Sequence, residues 1–210
     1  EFINFFTKEG DMVFDPFLGI GSTLVAAKRT NRLGCGVELN KKYFDISKKR
    51  LPEFKDMIFN ADSQEMSSID LPEIDFSISS PPYWDILNRS TNKFAKERND
   101  KNLDVNYSND INDLGNIEDY EEFIQKLSNV YLDVHKKLKI GGYLVVIIKN
   151  VKKEGIMYPL AWDLGKKLST TFTLKDEKIW IQDKAALAPY GYPYSWASNI
   201  LHHYCLVFQK

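Results

Sequence analysis

Met12-Val13-Phe14-Asp15-Pro16-Phe17-Leu18-Gly19-Ile20-Gly21-Ser22-Thr23 is the stretch that decides the architecture. Its first three residues read as a compact apolar strand, which Asp15-Pro16 closes. Two glycines then permit a tight turn into Leu24-Val25-Ala26-Ala27-Lys28-Arg29, a helix with a basic last turn. Leu33 to Val37 is a second strand, closed by Glu38. Lys41 to Leu51 is an amphipathic basic helix stopped by Pro52, and Met57-Ile58-Phe59 is a third strand.

Outward from this unit, strand and helix keep alternating. Phe2, Ile3, Phe5 and Phe6 predict a short apolar helix that ends at Gly10. Ile74 to Ile78 is a fourth strand. Tyr120 to Leu138 predicts a long helix with Phe123, Leu127, Val130, Tyr131 and Val134 at helical spacing. After Gly141-Gly142, Tyr143 to Ile148 is a fifth strand, and Tyr158 to Leu168 reads as a helix. Phe172 to Ile181 and Tyr204 to Phe208 are two last strands joined by an aromatic loop. Strands apolar on both faces, alternating with helices, argue for an α/β fold with a parallel sheet covered on both sides. The final strand–loop–strand adds an antiparallel edge.

The 210 residues are 43% hydrophobic and 27% charged, with a formal net charge of −1. This suits one well-cored domain of ordinary soluble composition, and no global basic field announces nucleic acid. No apolar run approaches the roughly 20 residues that cross a bilayer, so no membrane partner is expected. Cys35 and Cys205 lie in apolar strand-like runs, which fits reduced core thiols and a cytoplasmic location. No His, Cys and carboxylate cluster has metal-ligand spacing, and His202-His203 reads as the start of the last strand. Residues 85–117 shift to Asn, Asp, Lys and Ser, a polar insertion too long for an ordinary connection. Residues 1–210 are thus expected to form one domain with one insertion. The chain begins Glu1-Phe2-Ile3 without Met, which leaves room for an excerpt of a longer polypeptide.

The glycine loop has a chemical reading as well as a packing one. Glycines let a ligand approach the backbone, the helix beyond offers unpaired N–H groups, and Glu38 stands about 20 residues on, where an acidic side chain holds ribose hydroxyls. A nicotinamide dinucleotide fits poorly, because Asp15 would repel a pyrophosphate and Leu24 replaces the third glycine of that pattern. A nucleoside with a positive centre fits better, and S-adenosylmethionine is such a ligand. The alternative is a turn that only packs a helix on a strand.

Ser79-Ser80-Pro81-Pro82-Tyr83-Trp84 ends the fourth strand. Two prolines fix φ, lack N–H donors and push each preceding residue into an extended conformation. The result is a stiff turn with spare carbonyl acceptors beside an aromatic ring. It suits a flat ligand carrying an amino group, or it is a proline-rich loop leaving a sheet.

Together, the loop Asp15-Pro16-Phe17-Leu18-Gly19-Ile20-Gly21-Ser22-Thr23 and the stretch Ser80-Pro81-Pro82-Tyr83 resemble the DNA amino-methyltransferases, which methylate cytosine N4 or adenine N6. That family pairs an Asp-Pro-Phe-x-Gly-x-Gly-[ST]-[ST] loop with a [DNS]-Pro-Pro-[YFW] tetrad, and Glu38, Tyr43 and Arg50 resemble its Gly-x-Glu…Tyr…Arg run. The resemblance covers nearly the whole chain outside residues 85–117. It implies a Rossmann-like class I methyltransferase fold, with a mostly parallel seven-stranded sheet and an antiparallel last strand. S-adenosyl-L-methionine is the implied cofactor, and double-stranded DNA with a flipped base the implied partner. The resemblance leaves room for a cognate restriction nuclease or a recognition domain outside this stretch, and the sequence decides neither.

By the same resemblance, Asp15, Phe17, Gly19 and Gly21 line the methionine end, with Pro16, Ser22 and Thr23 in the same loop. Glu38 holds the ribose, Asp62 and Ser63 sit near the adenine, and Phe6 belongs to a cofactor-contacting segment. Ser80, Pro81, Pro82 and Tyr83 are the implied catalytic residues. The Ser80 side chain and Pro81 carbonyl accept hydrogen bonds from the target amine and localise its lone pair for direct in-line transfer, while Tyr83 stacks on the base. Ser in first place leans toward cytosine N4, and Asp or Asn toward adenine N6. RNA or a protein glutamine as substrate, or an inactive cofactor-binding subunit, are the alternatives.

Trp84, Arg89 and Lys93 follow the tetrad and are candidate substrate contacts, the two cations toward phosphates; the mixed charges of the insertion fit a solvated loop equally well. Tyr190 and Tyr192, in the aromatic loop Ala188 to Trp196, are candidates for stacking on an unpaired base, although a packed hairpin loop accounts for the same composition at least as well. Methylation at cytosine C5 would need a cysteine nucleophile near the tetrad, and neither cysteine lies there.

Overall fold

The structure, a computed structural model, describes residues 1–84, 112–182, 186–190 and 197–210. Its first part holds α1 (Phe2–Phe6), β1 (Met12–Asp15), α2 (Ser22–Arg29), β2 (Leu33–Glu38), α3 (Lys41–Arg50), β3 (Ile58–Asn60) and β4 (Ile74–Ser79). Short 3-10 turns stand at Pro52–Met57 and Ser63–Ser68. A 3-10 turn at Leu114–Asn116 then leads to α4 (Tyr120–Lys137), β5 (Leu138–Ile148), β6 (Val151–Lys153), β7 (Ile156–Tyr158) and α5 (Leu160–Leu168). The chain closes with β8 (Thr173–Ile181), the short pair β9 (Pro189–Tyr190) and β10 (Ala197–Ser198), and β11 (His202–Gln209).

One sheet organises these elements, in the order β3-β2-β1-β4-β5-β11-β8. β1 to β5 run parallel, and β11 runs antiparallel to both β5 and β8. The pleat sends neighbouring residues to opposite faces. Phe14, Leu144 and Val146 join the core under α4 and α5, whereas Val13 and Val145 join the core that α1 covers. This two-sided burial is why the strands read as continuous apolar runs rather than as alternating ones.

α4 shows how local sequence and packing agree. Asp119 caps it by accepting the Glu122 N–H at 2.7 Å, acidic residues fill its first turn, and His135, Lys136 and Lys137 fill its last. Phe123, Leu127, Val130, Tyr131 and Val134 are all fully buried, on the face their spacing predicts.

Several boundaries differ from the sequence reading, each for a physical reason. α1 ends at Phe6 rather than Gly10, because Thr7 turns extended and its hydroxyl donates to the Ile3 carbonyl. β5 begins at Leu138, five residues early, since Gly141 and Gly142 pair with Lys210 at the end of β11. Residues 151–158 form a hairpin that the sequence reading assigned in part to a helix. Glu154 and Gly155, both at positive φ, make its two-residue turn. α5 therefore starts only at Leu160, where the Asn150 side chain accepts the Ala161 N–H. No helix among the described residues is long and apolar enough to cross a membrane.

Candidate functional site

In the sheet order, β1 lies between β2 and β4, so the chain reverses its direction of travel there. Ligands of open α/β sheets bind at such a switch point, beyond the carboxyl ends of the strands. A cavity of about 240 Å³ opens at that place. It is lined from β1 by Pro16, Phe17 and Gly19, from β2 by Val37, Glu38, Leu39 and Asn40, and from α3 by Tyr43. Asp62 and Ser63 contribute from the end of β3, and Ser80 and Pro82 from the end of β4. The two motifs, about 60 residues apart in sequence, thus share one cavity.

The glycines of the loop have different tasks. Gly19 has φ +56° and nothing within 4 Å of where a Cβ would stand, so its backbone faces the cavity openly. Its N–H donates to Glu38 Oε2 at 2.6 Å, while the Asn40 N–H donates to Oε1 at 2.8 Å. Each carboxylate oxygen of Glu38 keeps a further acceptor site. Gly21 lies outside the cavity lining. It caps α2 at φ +85°, and a Cβ there would stand 2.7 Å from Leu51 Cδ1. The second glycine therefore serves the packing of α3 rather than ligand approach.

Asp15 also departs from expectation. It is 4% exposed and outside the lining, its Oδ1 accepting the Phe17 N–H at 2.9 Å and its Oδ2 the Thr23 hydroxyl at 2.6 Å. Thr23 thereby ties α2 to β1, and Ser22 is exposed at the helix start. The negative lining comes instead from Glu38, Asp62 and Asp113. Burial raises the Glu38 carboxyl above its ordinary range, and the nearby Asp113 adds to the effect. Burial pushes the Asp15 carboxyl up from 3.8 to about 7, against the pull of its two hydrogen bonds.

That shift has a testable sign. The native state keeps a proton on Asp15 that the unfolded chain releases, so this stabilisation is complete below about pH 4 and is lost as pH rises to about 7. Asp15→Asn carries no such titration. Its unfolding free energy in urea is expected to match the parent near pH 4 and to exceed it at pH 8, by up to about 4 kcal/mol. Parallel pH profiles for the two proteins would contradict this.

At the tetrad, Ser79 is buried and its Oγ lies 2.9 Å from the Tyr131 hydroxyl of α4. Ser80 is exposed at the cavity, and its Oγ lies 2.8 Å from the Tyr83 hydroxyl. Pro81 is buried, and Tyr83 is half buried beside the His203 ring. Trp84 is not a surface residue. It is 2% exposed at φ +57°, packs on Tyr120 and Tyr158, and donates its indole N–H to the Glu118 carbonyl. It anchors the loop in the core, which corrects its reading as a substrate contact. Phe6 is corrected too, since it packs on Phe76 and Tyr143 and lines a separate cavity with Phe2, Ile179 and Trp180.

Ser63 donates its hydroxyl to the Pro16 carbonyl, which joins the β3 and β1 ends under the cavity floor. Asn40, Asp113 and Leu114 also line the cavity, although no local pattern in the sequence marks them as site residues. Asp113 and Leu114 stand at the end of the polar insertion, where composition hid them. The Gln64 side chain holds this segment in place by donating to the Asn112 carbonyl at 2.9 Å. Arg89, Lys93 and Tyr192 lie outside the described residues, and of Tyr190 only the backbone in β9 is described. Cys35 is fully buried, with its thiol pushed up to about 12, so it offers no thiolate at neutral pH.

Residues 1–49 match the N6_N4_Mtase family model, described as DNA methylase. Over 45 residues the chain is 51% identical to the type II methyltransferase M2.DpnII of Streptococcus pneumoniae, covering 21% of this chain and 17% of that protein. Over 129 residues it is 31% identical to the type II methyltransferase M.HinfI of Haemophilus influenzae, covering 60% of this chain and 33% of that protein. The chain thus spans a third or less of the length of these two relatives. In fold it is similar to TrmN from Thermus thermophilus, with a TM-score of 0.61 at 14% identity over 99% of this chain and 46% of that one. A methyltransferase from Methanosarcina mazei described as SAM-dependent gives 0.60 at 12% identity, over 100% of this chain and 96% of that one. The fold is that of the Rossmann-like S-adenosylmethionine-dependent methyltransferases, and its first 49 residues match the DNA methylase pattern.

Proposed function

We propose that this chain is the catalytic domain of a DNA methyltransferase that uses S-adenosylmethionine to methylate an exocyclic base amine, most favourably cytosine N4. The observation that carries the reading is the shared cavity, which brings Ser80 and Pro82 beside Glu38 and Asp62. The lining suits the cofactor chemically. Three carboxylates favour a cation, Glu38 keeps acceptor sites for ribose hydroxyls, and Val37, Leu39 and Leu114 offer apolar surface to a flat base. When bound, S-adenosylmethionine supplies an electrophilic methyl group on a sulfonium.

The chain's own residues supply position and polarity. The Ser80 hydroxyl oxygen and the Pro81 carbonyl accept from the two amine protons of a flipped base, which draws the nitrogen lone pair out of the ring system. The rigid double proline holds those acceptors in place, and Ser79 bonded to Tyr131 fixes the strand end behind them. Serine in first place supports cytosine over adenine.

The protein carrying this chain should transfer label from S-adenosylmethionine to mixed-sequence duplex DNA, recovered as N4-methylcytosine after nucleoside digestion. Recovery as N6-methyladenine would move the target to adenine. Label in tRNA or protein, with none in DNA, would overturn the reading.

A further inference from the structure

An amine acceptor built from serine carries a difficulty that asparagine or aspartate does not. An amide oxygen or a carboxylate accepts unconditionally, but a hydroxyl has a proton of its own, and that proton must point away from the incoming N–H. The fold supplies a place for it. Ser80 Oγ and the Tyr83 phenol oxygen lie 2.8 Å apart, and the phenol reaches the Ile147 carbonyl at 3.4 Å. Either oxygen of the Ser80–Tyr83 pair can donate to the other, whereas a carbonyl only accepts; a phenol proton directed at Ile147 leaves the phenol oxygen to take the Ser80 proton.

We propose that Tyr83 is a positioning residue for Ser80: its hydroxyl takes the Ser80 hydrogen bond and hands its own to Ile147, leaving Ser80 as a pure acceptor at the cavity. The proposal rests on the methylation reading above and assigns the tetrad's tyrosine a task through its hydroxyl, beyond any task of its ring. The surroundings hold the phenol to this role. β4 and β5 are paired at Ser79 and Val146, so the turn folds back over the neighbouring Ile147. The His203 ring packs against Tyr83 at 5.7 Å between centroids, and the buried Trp84 pins the next residue. A serine in first place then needs tyrosine in fourth place, since phenylalanine or tryptophan has no hydroxyl to complete the relay.

Tyr83→Phe keeps the ring and removes the relay. It is expected to lower kcat at least about tenfold, the equivalent of one lost hydrogen bond, with KM for DNA and cofactor affinity within about twofold. In a Ser80→Asn background, where the acceptor carries no such proton, the same exchange should change kcat less than about twofold. Equal losses in both backgrounds would overturn the relay. A readout independent of turnover is the thermal unfolding of Ser80→Ala, Tyr83→Phe and the double variant. Less-than-additive shifts support the bond, and additive shifts overturn it. Failure of the unaltered protein to methylate any nucleic acid would count against the methylation reading alone, and the unfolding cycle would still decide the bond.

Discussion

Ser80→Ala is expected to cut methyl transfer at least about a hundredfold while leaving S-adenosylmethionine affinity within about threefold. The split follows from where the side chain stands. Ser80 is exposed at the mouth of the cavity, so its removal leaves no buried polar group unpaired and the fold should persist. Its oxygen is one of two acceptors that the reading aims at the amine, and a developing positive charge on nitrogen makes that acceptor worth more in the transition state than in the bound substrate. The neighbouring serine is the control. Ser79→Ala strips the buried Tyr131 hydroxyl of its partner and should cost about 1–3 kcal/mol of stability. Stopped transfer in one variant and lowered stability in the other would separate the two serines. Full turnover by Ser80→Ala would sink the assignment.

Gly21→Ala is expected to destabilise the domain by about 2–4 kcal/mol, from strain at positive φ plus overpacking. The added methyl meets Leu51 Cδ1 at 2.7 Å and Ser47 Cβ at 3.3 Å, both on the α3 side of the loop, at a position held at φ +85°. Gly19→Ala should behave differently. Nothing lies within 4 Å of its added methyl, so strain at φ +56° costs only about 1 kcal/mol. The methyl would project where Gly19 lines the cavity, so S-adenosylmethionine affinity should fall about tenfold or more, a loss on the order of 1.4 kcal/mol. Urea denaturation and calorimetric titration of both variants check the pair. Equal stability losses would mean that the two glycines are interchangeable.

The contrast between these glycines shows where local reading stops. Both stand in one loop, and both adopt positive φ, as a turn of that length demands. Only the approach of α3, a contact from residues 47 and 51, makes Gly21 a packing position. The same holds for Asp15, whose acidity suited a cationic ligand until burial and the Thr23 hydroxyl turned it inward. Trp84 follows the pattern, because a ring next to a proline turn reads as available until Tyr120 and Tyr158 close over it. Asp113 illustrates the reverse error. It sits at the end of a polar stretch with no periodicity, and nothing local marks it as part of a cavity wall.

What the sequence determined by itself was the set of elements and their order. Apolar runs of strand length, helical spacing with charged caps, and prolines at strand ends act through neighbours a few residues away, and these forces are written locally. The pairing of the Asp15-to-Thr23 loop with the Ser80-to-Tyr83 turn across one cavity was decided by the tertiary structure. That meeting depends on β1 lying between β2 and β4, a through-space arrangement no short window of sequence contains. Burial then assigned the remaining roles, turning Asp15, Gly21 and Trp84 to the fold and leaving Gly19, Glu38 and Ser80 facing the cavity.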